Sequence, residues 1–341
     1  MNKLLEKMQN TGTIKDTYIL NESKLFKKEM LISTEIPILN TALSGELDGG
    51  MSSGLLIVAG PSRMFKSMIS IYMIKAYLNE YPDAICLFYD SEFGTTPSYF
   101  KSLGVDTNKI LHIPIKNIEE LKFDIIKKIE QIEKNDKVII FLDSLGSIAS
   151  KKEIEDAMDE KSVADMTRAK AIRSLLRIVS PHLILKNIPM IAVNHVYDQI
   201  GPMYPTKVMG GGTSIMYSAN AVWFMSRRQD TEGSGIKKEL TGYEFVITIE
   251  KSRFIKEKSK LILDVSFENG ISKWSGLLDI ALESGHVTKP AKGWYQKTGF
   301  DTKYRESDTN TEDFWSSIID DPTFKKYIKD HYQLGETTDL I

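Results

Sequence analysis

The chain has 341 residues, 42% hydrophobic and 26% charged, with 44 Lys and Arg against 46 Asp and Glu for a formal net charge of −2. This composition supports one large α/β core with smaller appendages and argues against a disordered chain or a repeat array. The near-neutral balance argues against wholesale coating of nucleic acid, although a local basic surface can still line up with a phosphate backbone.

The segment beginning Met1-Asn2-Lys3 mixes charge with Leu4, Leu5 and Met8 and so lacks a signal peptide's apolar stretch. No later run approaches the length of a membrane span. The lone cysteine, Cys86, lies in the apolar run Ala84–Tyr89, where it reads as core packing, excludes an intramolecular disulfide and suits a reducing compartment. The expectation is a soluble cytoplasmic protein with no membrane partner.

Residues 1–33 read as a small helical appendage, with Leu4, Leu5, Met8, Leu25 and Phe26 at helix-like intervals around the turn-prone Asn10-Thr11-Gly12. From Ile38 to about Ser226, strand-like runs at 55–59, 84–89, 110–115, 137–143, 190–194 and 221–226 alternate with helical stretches at 68–80, 118–133 and 160–179. That alternation predicts βαβ units around a mostly parallel, twisted sheet. Runs at 243–250 and 261–267 flank a charged turn and predict an antiparallel extension, completing a core over 34–275. From Gly276 to Ile341 the pattern predicts a C-terminal lobe: a helix, a Gly/Pro-rich patch around Pro290–Tyr295, a polar stretch, and one closing helix near 312–333.

The apolar strand Leu55–Ala59 runs into Gly60-Pro61-Ser62-Arg63-Met64-Phe65-Lys66-Ser67 and then a helix free of Gly and Pro. In a phosphate-binding loop, backbone N–H groups and the helix N-terminus cradle the phosphates, Lys66 reaches the outer ones, and the Ser67 hydroxyl takes Mg²⁺. The spacing from Gly60 to Lys66-Ser67 fits, but Phe65 stands where the usual pattern has a second glycine. A nucleoside triphosphate with Mg²⁺ is the expected ligand. The five histidines are widely separated, so a protein-built zinc site has no support.

Asp143 ends the apolar strand Lys137–Leu142, at the edge where ligands sit in open α/β sheets, and is placed to join Ser67 at the metal. The strand Ala84–Tyr89 ends in Asp90-Ser91-Glu92, which puts a carboxylate beside the outer phosphate where an attacking water must be oriented and deprotonated. Glu92 is the candidate base, with Asp90 competing for the role.

The order Gly60…Lys66-Ser67, Tyr89-Asp-Ser-Glu92…Pro97-Ser-Tyr99…Leu103-Gly-Val105, Phe141-Leu-Asp-Ser144, Val193-Asn-His195 and Gly210-Gly-Gly212…Tyr217-Ser-Ala219 resembles the RecA-family recombinases, most closely the branch found in T4-like phages. The likeness covers nearly the whole chain, including Gly276-Leu-Leu-Asp279 and Gly293-Trp-Tyr295. RecA proteins generally keep the second loop glycine, whereas the phage branch resembles this chain in carrying phenylalanine before the lysine.

The resemblance implies an α/β fold with a RecA-like P-loop ATPase core between the N-terminal appendage and the C-terminal lobe. The C-terminal lobe it implies is small and α/β. It implies Glu92 as the catalytic carboxylate, Tyr99 stacked on adenine, and His195 at the γ-phosphate sensor position, usually glutamine. The segment from Tyr197 to Thr213, with Lys207, Gly210, Gly211 and Gly212, is similar to the second DNA-binding loop, and its length, Gly/Pro content and aromatic residues suit stacking on bases. The stretch from Lys151 and Lys152 to Arg168, Lys170, Arg173 and Arg177 matches the first DNA-binding loop and its following helix. Lys251 and Arg253 correspond to a basic pair that reaches the neighbouring subunit's γ-phosphate.

The implied function is an ATP-dependent recombinase that forms a helical filament on single-stranded DNA and exchanges strands with homologous duplex, with a single-strand-binding protein and a recombination mediator as partners. Alternatives are a ring helicase on the same fold, an ATP-binding mediator without strand exchange, and an ATP-binding scaffold that leaves the 197–213 loop unexplained.

Overall fold

A computed structural model of the chain describes residues 2–14, 17–23, 31–133, 135–160, 167–198, 207–212, 214–232 and 239–335. Two compact units divide at Leu31 and Ile32. The first holds helix α1 (Lys3–Gln9), whose N-terminus is capped by the Asn2 side chain accepting from the Leu4 N–H at 3.0 Å. Part of the expected appendage, including Leu25 and Phe26, lies outside the described residues.

The second unit begins two residues before the expected boundary, because Ile32 exchanges backbone hydrogen bonds with Met51 at 2.9 Å. Its elements in chain order are α2 (Pro37–Ser44), β1 (Gly54–Ala59), α3 (Lys66–Glu80), β2 (Ile85–Asp90), α4 (Pro97–Ser102), β3 (Ile110–Pro114) and α5 (Ile118–Gln131). They continue with β4 (Val138–Asp143), α6 (Lys151–Met158), α7 (Thr167–Leu185), β5 (Pro189–Asn194), β6 (Val196–Asp198), β7 (Lys207–Met209), α8 (Ser214–Ser218) and β8 (Ala221–Glu232). The remainder are β9 (Glu239–Lys251), β10 (Lys260–Ser266), β11 (Gly270–Ile271), α9 (Leu277–Glu283), β12 (Val287–Ala291), β13 (Trp294–Lys297), β14 (Lys303–Tyr304), α10 (Glu312–Ile319) and α11 (Pro322–Tyr332).

The main sheet runs β11-β10-β9-β8-β1-β5-β4-β2-β3. From β8 to β3 all neighbours pair in parallel, and β9, β10 and β11 extend the sheet antiparallel. Every residue of β1, β4 and β5 is buried, as expected for parallel strands covered on both faces, and this is why they read as unbroken apolar runs. Helix α3 packs on one face, while α5 and α7 cover the other through Ile118, Leu121, Ile125, Ile172, Leu175 and Val179. The i, i+3, i+7 spacing of Ile118, Leu121 and Ile125 places them on one stripe, and Asn117 caps that helix by accepting from the Glu120 N–H at 2.9 Å.

The C-terminal region is an α/β lobe, as expected, but differs from the expected form in its closing helix. The Gly/Pro-rich patch around Pro290 forms the β12–β13 hairpin of a three-stranded antiparallel sheet. The single closing helix is two, because Pro322 takes the first position of α11 behind an Asp321 cap, and proline cannot continue the preceding helix. Phe314, Trp315, Phe324 and Ile328 join the same core cluster as Ile38, Leu39 and Leu277, so the lobe shares a core with the sheet.

Gly276 sits at the turn into α9 with φ 67°, and a Cβ there would stand 2.7 Å from the Ile262 carbonyl oxygen. We expect Gly276→Ala to lower stability by about 2 kcal/mol or more, from left-handed strain plus a backbone clash. A lower urea midpoint with an unchanged m value would register it.

Candidate nucleotide site and DNA-facing loops

The loop after β1 turns tightly because Gly60 lies against strand β8: a Cβ would meet the Met225 carbonyl oxygen at 2.9 Å. Arg63 and Phe65 both adopt positive φ, 61° and 62°, which costs an L residue about 1 kcal/mol or more. Phe65 is the residue immediately before α3, and its ring stacks on Phe245 of β9 with centroids 4.7 Å apart. The missing glycine is thus replaced by a left-handed phenylalanine held through its side chain. No side chain caps the start of α3 among the described residues, and the N–H groups of a helix's first turn lack intrahelical partners, which suits an anion.

Lys66 is buried, and its ammonium donates to the Pro61 carbonyl at 2.7 Å. Burial lowers its pKa, while the charges of Glu92 and Asp143 pull the other way. Beside it, Asp143 Oδ2 accepts from the Ser67 hydroxyl at 2.7 Å and from Thr95 at 3.2 Å. Asp143 Oδ1 is buried and, among the described residues, has no hydrogen-bond partner. Burial raises the Asp143 pKa; the hydrogen bonds from Ser67 and Thr95 oppose that rise, and the nearby charges of Glu92 and Asp90 add to it. An orphaned carboxylate oxygen next to a serine hydroxyl is a hard-oxygen donor set that fits Mg²⁺.

Asp90 and Glu92 separate by their partners. Asp90 Oδ1 accepts from the Glu92 and Phe93 N–H groups at 3.0 and 2.8 Å, and Oδ2 is 3.1 Å from His112 Nε2. Those bonds commit Asp90 to shaping the turn that carries Glu92. Glu92 Oε1 accepts from the hydroxyls of Ser144 and Ser147, the latter at 2.7 Å, and from His195 Nε2 at 2.8 Å. A carboxylate only accepts, so His195 carries its proton on Nε2. Burial pushes the Glu92 pKa up, but the hydrogen bonds from Ser144, His195 and Ser147, with the charge of His195, bring it below its ordinary value. Sequence reasoning gave no role to Ser144 and Ser147; their positions just after Asp143 were the only signal.

Tyr99 on α4 is half-buried, its hydroxyl pushed up to about 12 by burial first and then by the charge of Asp143 and by Tyr72. Lys66, Ser67, Glu92, Asp143, His195 and Tyr99 are therefore brought to one edge of the sheet. Of the residues expected to touch DNA or a neighbour, Gly210 is bonded to this edge through Asn194 and His195, while Lys151, Lys152, Lys207, Lys251 and Arg253 have no hydrogen bond to the site residues among the described residues.

The expected second DNA loop is a hairpin at its base, with Val196 opposite Met209 and Asp198 opposite Lys207. Residues 199–206 and Thr213 lie outside the described residues. Lys207 is exposed on β7, and Tyr197 and Val208 are exposed beside it. The hairpin is tied to the nucleotide edge: Asn194 Nδ2 donates to the Gly210 carbonyl, and the Gly210 N–H donates to the His195 carbonyl, both at 3.0 Å. Gly211 and Gly212 follow at positive φ.

Lys151 and Lys152 are exposed at the start of α6, behind a capping box of Ser150 and Glu153, and Lys151 is 3.7 Å from Glu155. Arg168 is different. Its guanidinium donates to the carbonyls of Ile148 at 2.7 Å, Leu145 and Gly146, which binds it to the loop after β4 and turns it away from a role as a free phosphate contact. Lys251, at the end of β9, donates to the carbonyls of Met216, Ala219 and Tyr217 at 2.6, 2.8 and 3.2 Å, capping α8. Burial, then the charge of Arg253, lowers its pKa. Arg253 is exposed and lines a groove of about 500 Å³ with Arg173, Arg177 and Tyr217.

The family described as the RecA N-terminal domain matches residues 5–272. The chain belongs to the RecA family. A second match, to the C-terminal domain of the bacteriophage T4 recombination and repair protein, covers residues 274–328. The chain is 48% identical to the recombination and repair protein of Enterobacteria phage T4 over 98% of its own length and 87% of the relative's. It is 25% identical to the RecA protein of Lactococcus lactis subsp. cremoris over 79% of this chain and 67% of that one, and 26% identical to the RecA protein of Cutibacterium acnes over 85% and 79%. It is a RecA-like strand-exchange recombinase, and the RecA family in general uses ATP and Mg²⁺. Among the described residues, no helix is long and apolar enough to cross a membrane.

A carboxylate whose pKa is raised by folding contributes stability that is present below its unfolded pKa and lost as pH rises through the folded value. At pH 7 the charged Asp143 therefore works against the nucleotide-free fold. We expect Asp143→Asn to raise the melting temperature at pH 7, with the gain shrinking as pH falls through the raised folded value toward the ordinary carboxylate value. Scanning calorimetry should also find that Mg²⁺ with ATP stabilises the parent by a ligand-dependent shift absent from the variant.

Proposed function

We propose that this recombinase hydrolyses ATP at a site shared by neighbouring copies, and that ATP holds a helical filament on single-stranded DNA while strands are exchanged with a homologous duplex. The observation that carries this reading is the convergence of Lys66, Ser67, Asp143 and the Glu92–His195 pair on one sheet edge, with His195 bonded through its backbone to Gly210 of the DNA-facing hairpin.

Lys66 and the loop N–H groups hold the outer phosphates as point charge and oriented dipoles. Bound at Ser67 and Asp143, Mg²⁺ would neutralise charge on the phosphates. Glu92, held as a carboxylate by its hydrogen bonds from Ser144, His195 and Ser147, orients a water toward the γ-phosphorus and accepts its proton as the bond to ADP breaks. Tyr99 offers its ring to adenine. The exposed Arg253 acts on the neighbour's γ-phosphate, and Lys251 joins it by exchanging the three carbonyls of the α8 end for phosphate oxygens; the apolar Leu4, Leu5 and Met8 exposed on α1 suit contacts between copies. Lys207, Lys151 and Lys152 meet DNA phosphates without reading sequence. A single-strand-binding protein and a mediator would act with it in the host cytoplasm.

ATP hydrolysis measured with and without single-stranded DNA, followed by strand invasion, tests this reading. DNA-stimulated turnover with invasion supports it, and turnover without invasion favours a helicase or mediator. Glu92→Gln should retain ATP and DNA binding while hydrolysis falls by about a hundredfold or more. Lys251→Ala protein should regain part of its DNA-stimulated hydrolysis when mixed with Lys66→Ala protein, since a mixed interface pairs one intact phosphate loop with one intact basic pair. No rescue in filaments shown to be mixed would rule out action in trans.

A further inference from the structure

Two non-glycine residues of the phosphate loop, Arg63 and Phe65, are left-handed, and both are gripped from strands far away in sequence. The Arg227 guanidinium of β8 donates to the Arg63 carbonyl at 3.2 Å and lies over the Tyr243 ring, 4.1 Å from its centroid. The Phe65 ring stacks on Phe245, which is 3% exposed, and Tyr243 packs beside Phe245 with centroids 5.8 Å apart. Arg227 stands directly opposite Phe245 in the antiparallel register, with Tyr243 two residues along β9, so the three side chains share one face of the sheet.

We propose that Arg227, Tyr243 and Phe245 are positioning residues that clamp the phosphate loop in its nucleotide-binding conformation, doing by tertiary contact what the usual second glycine does by conformational freedom. Phe65 has no such freedom, so a loop released from the clamp would leave the left-handed region and misdirect its N–H groups. The inference rests on the nucleotide-site reading. It concerns affinity and not chemistry, because Glu92 is held by a separate set of groups, Ser144, Ser147 and His195.

The test uses the full chain, a fluorescent ATP analogue, and steady-state hydrolysis on single-stranded DNA. Releasing the loop so that it is competent about a tenth of the time weakens binding about tenfold. Phe245→Ala should therefore raise Kd and KM about tenfold while kcat at saturation stays within about twofold. Arg227→Met, at a half-buried position less needed for folding, should move KM the same way by about threefold or more.

The decisive variant is Phe65→Gly combined with Phe245→Ala. Glycine needs no clamp, so the double variant should recover the parent's Kd to within about threefold while keeping the lowered urea midpoint of Phe245→Ala. Recovery of affinity without recovery of stability is an outcome that a purely structural role for Phe245 would not give. The clamp is overturned if Phe245→Ala and Arg227→Met bind the analogue as tightly as the parent, or if Phe65→Gly restores nothing. A parent that binds no analogue overturns the nucleotide reading and the clamp together; a parent that binds, with unchanged variants, overturns the clamp alone.

Discussion

The constraint on which the rest of the site depends is that a parallel sheet ends all its strands at one edge, and that the tips of these strands carry polar groups the interior cannot easily hold. Asp90 and Asp143 stand side by side in register at the ends of β2 and β4, and Ala59 pairs with Asn194 at the ends of β1 and β5. Both aspartates are nearly inaccessible to water. Desolvation and mutual repulsion would make the pair untenable without compensation. Asp90 obtains it from two backbone N–H groups and His112, whereas among the described residues Asp143 obtains only Ser67 and Thr95 and keeps one oxygen without a partner. The under-compensated carboxylate is the one beside the phosphate loop, where a cation would complete it.

The same edge explains how the candidate nucleotide site and the β6–β7 hairpin are joined. β5 ends in Asn194 and the chain continues through His195 into β6 with no intervening loop. The His195 ring bonds Glu92, its carbonyl receives Gly210, and the Asn194 side chain accepts from the His195 N–H while donating to Gly210. A change in what Glu92 contacts must therefore be met by the ring or by the backbone that anchors the hairpin. This is a short chain of hydrogen bonds between two sites, and the physical requirement for coupling is that it have two arrangements with different free energies.

Much of this was legible in the chain because its grammar is local. Apolar runs ending in Asp143 or Asp90 announce buried strands and their tips, and the Gly60-to-Lys66 spacing announces the loop. What was not legible depended on partners distant in sequence. Phe65 is a departure when read locally and a stacked ring when Phe245 is in view. The Arg168 side chain reads as a basic helix face and is in fact tied to three carbonyls of another loop. Ser144 and Ser147 carry no signature of their own and gain a role only when β2 sets Glu92 beside them. The β12–β13 hairpin was hidden because Pro290 and Gly293 signal a turn, and strands this short have too few residues to show alternation.

Strand β9 gives these observations a common axis. Phe245, under the phosphate loop, and Lys251, at the strand's C-terminal end, are separated by six residues of one continuous strand, about 20 Å at roughly 3.3 Å per residue. Between them Ile247 and Ile249 are wholly buried, and β8 and β10 flank the strand on both sides. The strand is laddered on both edges from Phe245 to Thr248, and its register against β8 shifts between Ile249 and Lys251, so a displacement under the phosphate loop reaches the basic pair through that irregularity. One end grips the chain's own phosphate loop, and the other carries the basic pair proposed to reach the neighbour's nucleotide. In a glycine loop the first of these links is absent. Placing phenylalanine there makes the setting of each phosphate loop answer to the position of the strand that leads to Lys251 and Arg253, so the geometry of a subunit's own site and that of its proposed contact with the next depend on the same strand.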